Sequence, residues 1–273
     1  MGFKKFNFKG VAISASLSLA IILALVGVKP VEAITGESTR ITTPYDSTYY
    51  ASAMGKTGQA LKMELHTIVR NQTKISYDAV WEALRNTDED PNNKNNVILL
   101  YAGRSQSKTA NGTGVDDWNR EHVWAQSHGG FGTSMGAGTD LHHLKPEDST
   151  VNSARGNKDF DNGGTPHKEA TLCKTDADSW EPRDAVKGDI ARMLFYMAVR
   201  YEGTNGEVNL ELNNVTNNGS IPFHGKLSTL IGWHNQDPVD AFEQRRNNII
   251  YTNYQKNRNP FIDHPEWVGE IFK

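Results

Sequence analysis

Three residues near the middle of the sequence combine two metal-binding oxygens with a neighbouring base. Glu121 and His122 are adjacent, and Asn152 follows 30 residues after His122. Carboxylate and amide oxygens suit a hard cation such as Mg²⁺, which keeps several waters and therefore needs few protein ligands. The adjacent imidazole, with an ordinary pKa of about 6.5, can take a proton from an attacking water. The trio predicts metal-assisted hydrolysis, with Mn²⁺ or Ca²⁺ as alternatives to Mg²⁺.

A dense group of histidines leaves two other functions open. Four of the nine histidines fall within 22 residues: His122, His128, His142 and His143. Such a group also suits a zinc hydrolase, although the sequence has no His-Glu-x-x-His and no other compact zinc spacing. A secreted binding protein, whose polar loops hold sugar or calcium, is the non-enzymatic alternative. The order of Glu121, His122 and Asn152 favours hydrolysis assisted by a cation on oxygen ligands over both alternatives.

These side chains must be positioned by two strands and a short helix. The sequence over 118–124 is typical of an extended segment, and a second short strand is predicted over 140–144. Ser149 is a predicted cap for a helix over 150–155, which would carry Asn152. Successive side chains of a regular strand face opposite sides, so the adjacent glutamate and histidine can share one site only where their strand ends, twists or bulges.

The remaining patterns predict a mixed fold with a helical C-terminal half. Apolar periodicity predicts three helices and one buried strand: helices over 59–70, 77–85 and 182–201 and a strand over 96–101. Asp237-Pro238 predicts a further helix start, and the acidic stretch over 86–96 reads as a solvated loop. Asp189 and Arg192 are expected to form a buried ion pair. We therefore predict an α+β protein in which residues 59–273 form one mixed α/β domain.

The N-terminus has the layout of a secretory signal peptide. Lys4, Lys5 and Lys9 precede an apolar run over 11–28, and a small-residue cleavage pattern ends at Ala33. A membrane anchor is the alternative, since the run approaches the length of a span. We expect cleavage after residues 1–33, a polar leader over 34–58, and an extracellular monomer that does not associate with membranes.

Charge and cysteine content constrain the partner only weakly. Removing residues 1–33 takes four lysines and one glutamate from totals of 29 basic and 32 acidic residues, which leaves a formal charge of −6. This balance is unusual for a nucleic-acid partner, although a bound divalent cation can supply local positive charge. Cys173 is the single cysteine, so an intrachain disulfide is impossible.

Several motifs together resemble one known family. They are NREHVW at 119–124, DLHHLKP at 140–146, VNSARGN at 151–157, GDIAR at 188–192, FYM at 195–197 and RNPF at 258–261. In this order they are similar to the endonuclease I family of ββα-metal nucleases, and in particular to its secreted, cysteine-poor Bacillus branch of extracellular ribonucleases. The resemblance covers most of residues 60–272.

The resemblance implies a ββα-metal core and a role for each site residue. It makes His122 the general base and Glu121 and Asn152 the metal ligands of an enzyme that hydrolyses RNA. The chemistry permits DNA as well, and contacts to phosphate and metal predict little sequence specificity. Water as the nucleophile would leave 5′-phosphate products. Other members place a catalytic arginine in a longer loop that this sequence lacks. Arg155, three residues after Asn152, is the substitute expected on physical grounds, with a salt bridge inside the fold as its alternative.

Asp140 and His142 are the remaining candidates. Both lie in the second motif, and we expect them to orient the site through hydrogen bonds to its ligands, against the alternative of a purely structural role. His66, His167, His224, His234 and His264 have no motif around them and are assigned no function.

Overall fold

The computed structural model describes residues 42–273, in which short sheets surround a helical body. The predicted signal peptide and the first part of the leader lie outside the described residues. The helices within 42–273 are α1 Gly58–Val69, α2 Ala79–Thr87, α3 Ser149–Arg155, α4 Lys187–Arg200, α5 Leu227–Gln236, α6 Ala241–Ile249, α7 Pro260–Asp263 and α8 Trp267–Ile271. None of them is both long and apolar enough to cross a membrane.

The strands are short and belong to four small sheets. They are β1 Glu89–Asp90, β2 Asn93–Ile98, β3 Ser105–Ser107, β4 Trp118–His122, β5 Leu144–Asp148, β6 Asp159–Phe160, β7 Thr165–Pro166, β8 Lys174–Thr175, β9 Ser179–Glu181, β10 Glu211–Leu212 and β11 Phe223–His224. The orders within the sheets are β1-β2-β3, β4-β5, β6-β9-β8-β7 and β10-β11. The predicted mixed α+β class is confirmed.

A ββα unit is formed by β4, β5 and α3. The two strands are antiparallel, with Glu121 opposite Lys145 and His122 opposite Leu144. Asp148 ends β5 and at once begins the helix, because its carboxylate accepts hydrogen bonds from the backbone N–H groups of Thr150 and Val151. This side-chain cap holds α3 directly against the strand that carries the glutamate and histidine.

Helix α4 forms the centre of the main core. All of its residues are buried, so it packs on every side rather than along one apolar stripe. Its charged side chains are therefore paired: Arg192 binds Glu243 at 2.6 Å and Asp189 at 3.6 Å. The predicted Asp189–Arg192 ion pair is confirmed, and Glu243 of α6 is the nearer partner.

Several predicted boundaries are wrong: the helix predicted over 182–201 is Lys187–Arg200, the strand predicted over 96–101 is Asn93–Ile98, and three others are changed by capping or by a turn. The second strand of the ββα unit is Leu144–Asp148, while 140–143 is a buried turn whose Asp140 carboxylate accepts hydrogen bonds from core tyrosines. Helix α3 is capped by Asp148 instead of Ser149. The helix predicted at Asp237 begins at Ala241, where Asp240 and Glu243 form a reciprocal capping box.

Two further differences concern segments read as polar loops. The acidic stretch over 86–96 contains β1 and the start of β2, which pair as an antiparallel hairpin. The described part of the leader, 42–58, packs onto the domain, since Tyr50 and Ala53 are completely buried in the main core. Asp46 and Glu266 hold the imidazole of His264 at 2.9 Å on its two sides, which joins the leader to the C-terminal region.

This last contact predicts a pH-dependent stability. Burial lowers the pKa of His264, but the hydrogen bonds and negative charges of Glu266 and Asp46 outweigh burial and leave the pKa raised. A raised pKa stabilises the fold below the unfolded value of about 6.5, and this contribution is lost as the pH rises through the folded value. We expect His264→Asn to lower the free energy of unfolding by about 1–2 kcal/mol more at pH 5.5 than at pH 9.

Urea denaturation at the two pH values measures this difference. The packing of the imidazole on Trp267 is lost at both pH values, so only the pH-dependent part reports the charge. His167→Gln is the matched control, because the His167 ring forms no ion pair with an acidic side chain within 42–273. An equal loss at pH 5.5 and pH 9 for His264→Asn would contradict the assignment.

Candidate active site

An open pocket of about 290 Å³ lies where β4 ends beside α3. The side chains predicted as base and ligands, Glu121, His122 and Asn152, all line it. Adjacent Glu121 and His122 can share this pocket because His122 is the last residue of β4, and the chain leaves the regular strand there. Residues separated by 30 positions along the chain are thus brought into one site by the ββα unit.

The imidazole of His122 uses one ring nitrogen for a hydrogen bond to the backbone, and its other nitrogen faces the pocket. Nε2 lies 2.9 Å from the carbonyl oxygen of Gly138, so this nitrogen carries the proton and donates it. Nδ1 then has a free electron pair, which accepts a hydrogen bond from the Gln126 amide at 3.0 Å. Burial, together with the charge of His143, lowers the pKa of His122 to about 3, so the ring is neutral.

The two oxygens of the Glu121 carboxylate have different surroundings. Oε1 accepts a hydrogen bond from the Tyr101 hydroxyl at 2.6 Å and from the Arg155 guanidinium at 3.1 Å. Within residues 42–273, no group donates a hydrogen bond to Oε2, although the residue lines the pocket. Burial raises the pKa of Glu121, while Arg155 and Tyr101 oppose that rise. One oxygen is therefore anchored and the other is available to a ligand.

Asn152 completes an oxygen donor set that fits a hard divalent cation. Its side chain, half-buried at the pocket wall, makes no hydrogen bond to other residues of the described chain. An unpartnered carboxylate oxygen and an unpartnered amide oxygen in one open pocket match the ligands that Mg²⁺ takes, with water and substrate oxygens filling the other positions. On donor chemistry, these residues fit the predicted metal.

Arg155 lies behind the pocket instead of inside it. Its side chain is completely buried, and besides Glu121 it donates to the carbonyl oxygens of His122 at 2.9 Å and Val123 at 2.7 Å. A buried guanidinium with these partners does not reach a substrate phosphate. The structure contains the alternative expected for this residue, a salt bridge inside the fold.

Arg120 is the one lysine or arginine among the described residues that line the pocket. Its guanidinium carbon lies 3.5 Å from the ring centre of Tyr77 and 4.0 Å from that of Trp81, and Nη1 donates to the Tyr77 carbonyl oxygen. Within 42–273 no carboxylate pairs with it, and its buried Nε–H has no acceptor. Sequence reasoning passed over Arg120 because only the fold shows that its cation faces the pocket without a counter-charge.

Asp140 and His142 do not touch the predicted ligands. Asp140 is buried and accepts hydrogen bonds from the hydroxyl groups of Tyr196 and Tyr201, each at 2.9 Å. His142 lies 3.2 Å from the side-chain oxygen of Asn257, and burial lowers its pKa to about 4. These contacts agree with the alternative considered for both residues, a purely structural role in the fold. His143, in contrast, packs its ring edge 5.5 Å from the His122 ring.

A second polar cluster lies behind Arg155, and of its three members only His128 belongs to the histidine group noted in the sequence. It comprises His128, Asp159 and His224, which are all buried and whose ligand atoms lie within 4.8 Å of one another. Among residues 42–273 this is the one group of three such side chains close enough to share a metal ion. Its members come from a loop, β6 and β11, so only tertiary structure brings them together.

Comparison with known proteins agrees with the ββα site. The profile of the Endonuclease I family matches residues 57–266. The chain is 65% identical over 225 residues to the extracellular ribonuclease of Bacillus subtilis (strain 168), which covers 82% of this chain and 78% of that protein. It is 64% identical over 225 residues, with the same coverage, to the extracellular ribonuclease of Bacillus amyloliquefaciens. A match over this length, on a fold with a ββα pocket, shows that the chain is a nuclease and belongs to the endonuclease I family.

Proposed function

We propose that this chain is a secreted, Mg²⁺-dependent endonuclease that hydrolyses RNA, and DNA by the same chemistry, to 5′-phosphate products. The observation that carries the proposal is the convergence of a neutral imidazole and two free oxygen donors, from Glu121, His122 and Asn152, in one open pocket. The names of the two Bacillus relatives support the extracellular location and the choice of RNA.

His122 acts as the general base through Nδ1. The bond from its Nε2–H to Gly138 holds the tautomer in which Nδ1 presents an electron pair to the pocket. Gln126 occupies that electron pair in this structure and must release it when a water binds there. The proton passes from water to Nδ1 while the water oxygen attacks phosphorus, the bond to the 3′ oxygen breaks, and that oxygen takes a proton from a second water to leave as a 3′-hydroxyl.

The oxygens of Glu121 and Asn152 would hold the cation. When bound, Mg²⁺ supplies positive charge close to the phosphate oxygens, where negative charge develops during the reaction. Tyr101 and Arg155 keep the other oxygen of Glu121 turned away from the pocket. A single copy of the chain provides every one of these groups, so a monomer suffices.

Arg120 takes the phosphate-binding role that had been expected of Arg155. It is a cation at the pocket wall, fixed by aromatic contacts, and no carboxylate of the described part of the chain pairs with it. Arg120 and His122 lie two positions apart on β4, on the same face of the strand, which puts their Cα atoms about 7 Å apart. A guanidinium at the wall of the same pocket can pair with a substrate phosphate while the imidazole takes the proton of the water.

Cleavage does not depend on the sugar in this scheme. Because water is the nucleophile, the 2′-hydroxyl of RNA is not a reactant. The pocket residues offer charge and oxygen ligands, which interact with phosphate and carry no base information. The scheme therefore accounts for hydrolysis of both nucleic acids with little sequence preference.

One experiment on the chain lacking residues 1–33 tests both the metal dependence and the substrate class. We expect cleavage of RNA and of plasmid DNA in Mg²⁺, loss of cleavage with a chelator, and recovery when Mg²⁺ is restored. Initial rates on matched RNA and DNA give the preference, and end-labelling gives the terminal phosphate position. No cleavage in Mg²⁺ but full cleavage in Zn²⁺ would favour the zinc hydrolase instead.

Substitution of the base should lower kcat, whereas substitution of a ligand should weaken metal binding. His122→Ala removes the proton acceptor and should lower kcat about 10²–10⁴-fold while the affinity for Mn²⁺, a paramagnetic probe, is retained. Glu121→Gln removes a charged ligand and should weaken Mn²⁺ binding by at least about tenfold. Electron paramagnetic resonance of free Mn²⁺ measures the affinity, and Asn253→Ala, on another surface, is the control. Loss of Mn²⁺ binding in His122→Ala would make this histidine a ligand.

Arg120→Gln should reduce kcat/KM on RNA by about 10²-fold, since a positioned donor to developing phosphate charge is removed. The affinity for Mn²⁺ should not fall, because a guanidinium can only repel a nearby metal cation. Lys168→Gln, at an exposed position away from the pocket, makes the same change in net charge and should leave kcat/KM unaltered. Equal losses in both variants would show a general charge effect and remove Arg120 from the site.

A further inference from the structure

Three of the five N–H donors of the Arg155 guanidinium hold the region of Glu121. Nη1 donates to Glu121 Oε1 and to the carbonyl oxygen of His122, while Nη2 donates to the carbonyl oxygen of Val123. The second proton of Nη2 points to Nε2 of His224 at 3.2 Å. Four of the five N–H donors of the guanidinium thus have acceptors, and Nε–H has none within the described residues.

The contact with Arg155 determines the tautomer of His224. An arginine can only donate, so Nε2 of His224 must present its electron pair. The proton then sits on Nδ1, which faces two acceptors, Asp159 Oδ1 at 3.1 Å and the carbonyl oxygen of Gly225 at 3.3 Å. Burial lowers the pKa of His224 to about 4, which agrees with a neutral ring that donates on one side and accepts on the other.

The carboxylate of Asp159 is also fixed by several hydrogen bonds. Its carboxylate accepts the backbone N–H of Asn218 at 2.9 Å, the Asn218 amide at 2.9 Å and the backbone N–H of Gly225 at 2.7 Å. Burial raises the pKa of Asp159, but these hydrogen bonds and His224 lower it further than burial raises it. The carboxylate is a fixed negative charge at the end of a buried chain of contacts.

These hydrogen bonds argue against a metal ion in the cluster of His128, Asp159 and His224. To bind a cation through Nδ1, His224 would have to move its proton to Nε2, where it would oppose the N–H of Arg155. To bind through Nε2, it would have to displace the guanidinium. His128 in turn donates Nδ1–H to the carbonyl oxygen of Phe223 at 2.7 Å. Nε2 of His128 has no partner within residues 42–273, but at His224 the proton on Nδ1 and the cation beside Nε2 occupy both places where a ligand electron pair would be needed.

We propose that Asp159, His224 and Arg155 form a positioning relay that fixes the Glu121 carboxylate, so that Oε1 is held inside the fold and Oε2 faces the pocket. The relay rests on the proposed function, in which Glu121 is a metal ligand. Its residues touch neither substrate nor cation. They determine how tightly the pocket binds a divalent ion, because a carboxylate with an oriented oxygen loses less freedom on binding.

Two amide substitutions of His224 separate the relay from general packing. A glutamine places its side-chain oxygen near the position of Nε2 and can still accept from Arg155, whereas an asparagine places its amide near Nδ1 and leaves Arg155 without this acceptor. We expect the dissociation constant for Mn²⁺ to rise about tenfold in His224→Asn and to stay within roughly threefold of the unsubstituted protein in His224→Gln. Electron paramagnetic resonance of free Mn²⁺ gives the affinity without any activity assay.

A buried arginine outside the relay supplies the matched control. Arg192 is also completely buried and bound to a glutamate, Glu243, but it lies in α4 away from the pocket. Arg155→Lys should weaken Mn²⁺ binding about tenfold or more. Arg192→Lys should lower thermal stability and leave the Mn²⁺ affinity unchanged.

The outcomes separate failure of the relay from failure of the proposed function. Weak Mn²⁺ binding in Glu121→Gln with unchanged binding in both His224→Asn and Arg155→Lys would overturn the relay alone. Unchanged binding in Glu121→Gln would remove the metal site on which the relay rests. Stoichiometric Zn²⁺ retained after dialysis, and lost in His128→Phe, would show that the cluster is a second metal site and would also overturn the relay.

Discussion

The active-site pocket depends on one buried ion pair, Arg155 with Glu121. Both side chains are almost fully removed from water, at 0% and 2% exposure. Removing one partner of such a pair leaves an uncompensated buried charge, which costs about 3–5 kcal/mol. The pair is nevertheless not simply a stabilising element, because hydrophobic residues of equal size would pack as well or better. Its value is specificity: it selects one of two equivalent carboxylate oxygens and turns the other towards solvent.

The rest of the fold supports that pair from three directions. The ββα unit supplies both of its residues, with Glu121 on β4 and Arg155 at the end of α3, and the Asp148 cap holds the helix to the sheet. Tyr101 follows β2 and donates to the same oxygen of Glu121. From the other side, β6 and β11 bring Asp159 and His224 against the guanidinium. Elements far apart in the chain therefore meet at a single carboxylate.

The charge distribution explains how an acidic protein can act on a polyanion. The mature chain is expected to carry a net charge of −6, yet most of its buried carboxylates are matched by neighbouring cations, as in the pairs of Arg192 with Glu243 and Lys145 with Asp88. At the pocket, Arg155 offsets Glu121, and Arg120 has no carboxylate partner among residues 42–273. A bound divalent cation would add further positive charge there, so that the local field and not the net charge would decide what the pocket attracts.

The sequence by itself determined the class of the fold and the residue types on which the proposed chemistry rests. Adjacent Glu121 and His122, followed by Asn152, predict a base and oxygen ligands by residue type, and the apolar stripe over 182–201 predicts the central helix. These signals are local, because residue chemistry and helical periodicity are written in consecutive positions. Boundaries set by capping were missed where several polar residues compete, as with Asp148 against Ser149 and Asp240 against Asp237.

Only the tertiary structure decided which cation faces the pocket and which is buried. Arg120 and Arg155 are both within three positions of a predicted ligand, and nothing in their spacing separates them. Their roles follow from partners that lie far away in sequence: Tyr77 and Trp81 for Arg120, and His224 for Arg155. Burial and hydrogen-bond pairing are properties of the folded chain, which is why His224, with no motif around it, was assigned no function from sequence and gains a proposed role from its neighbours.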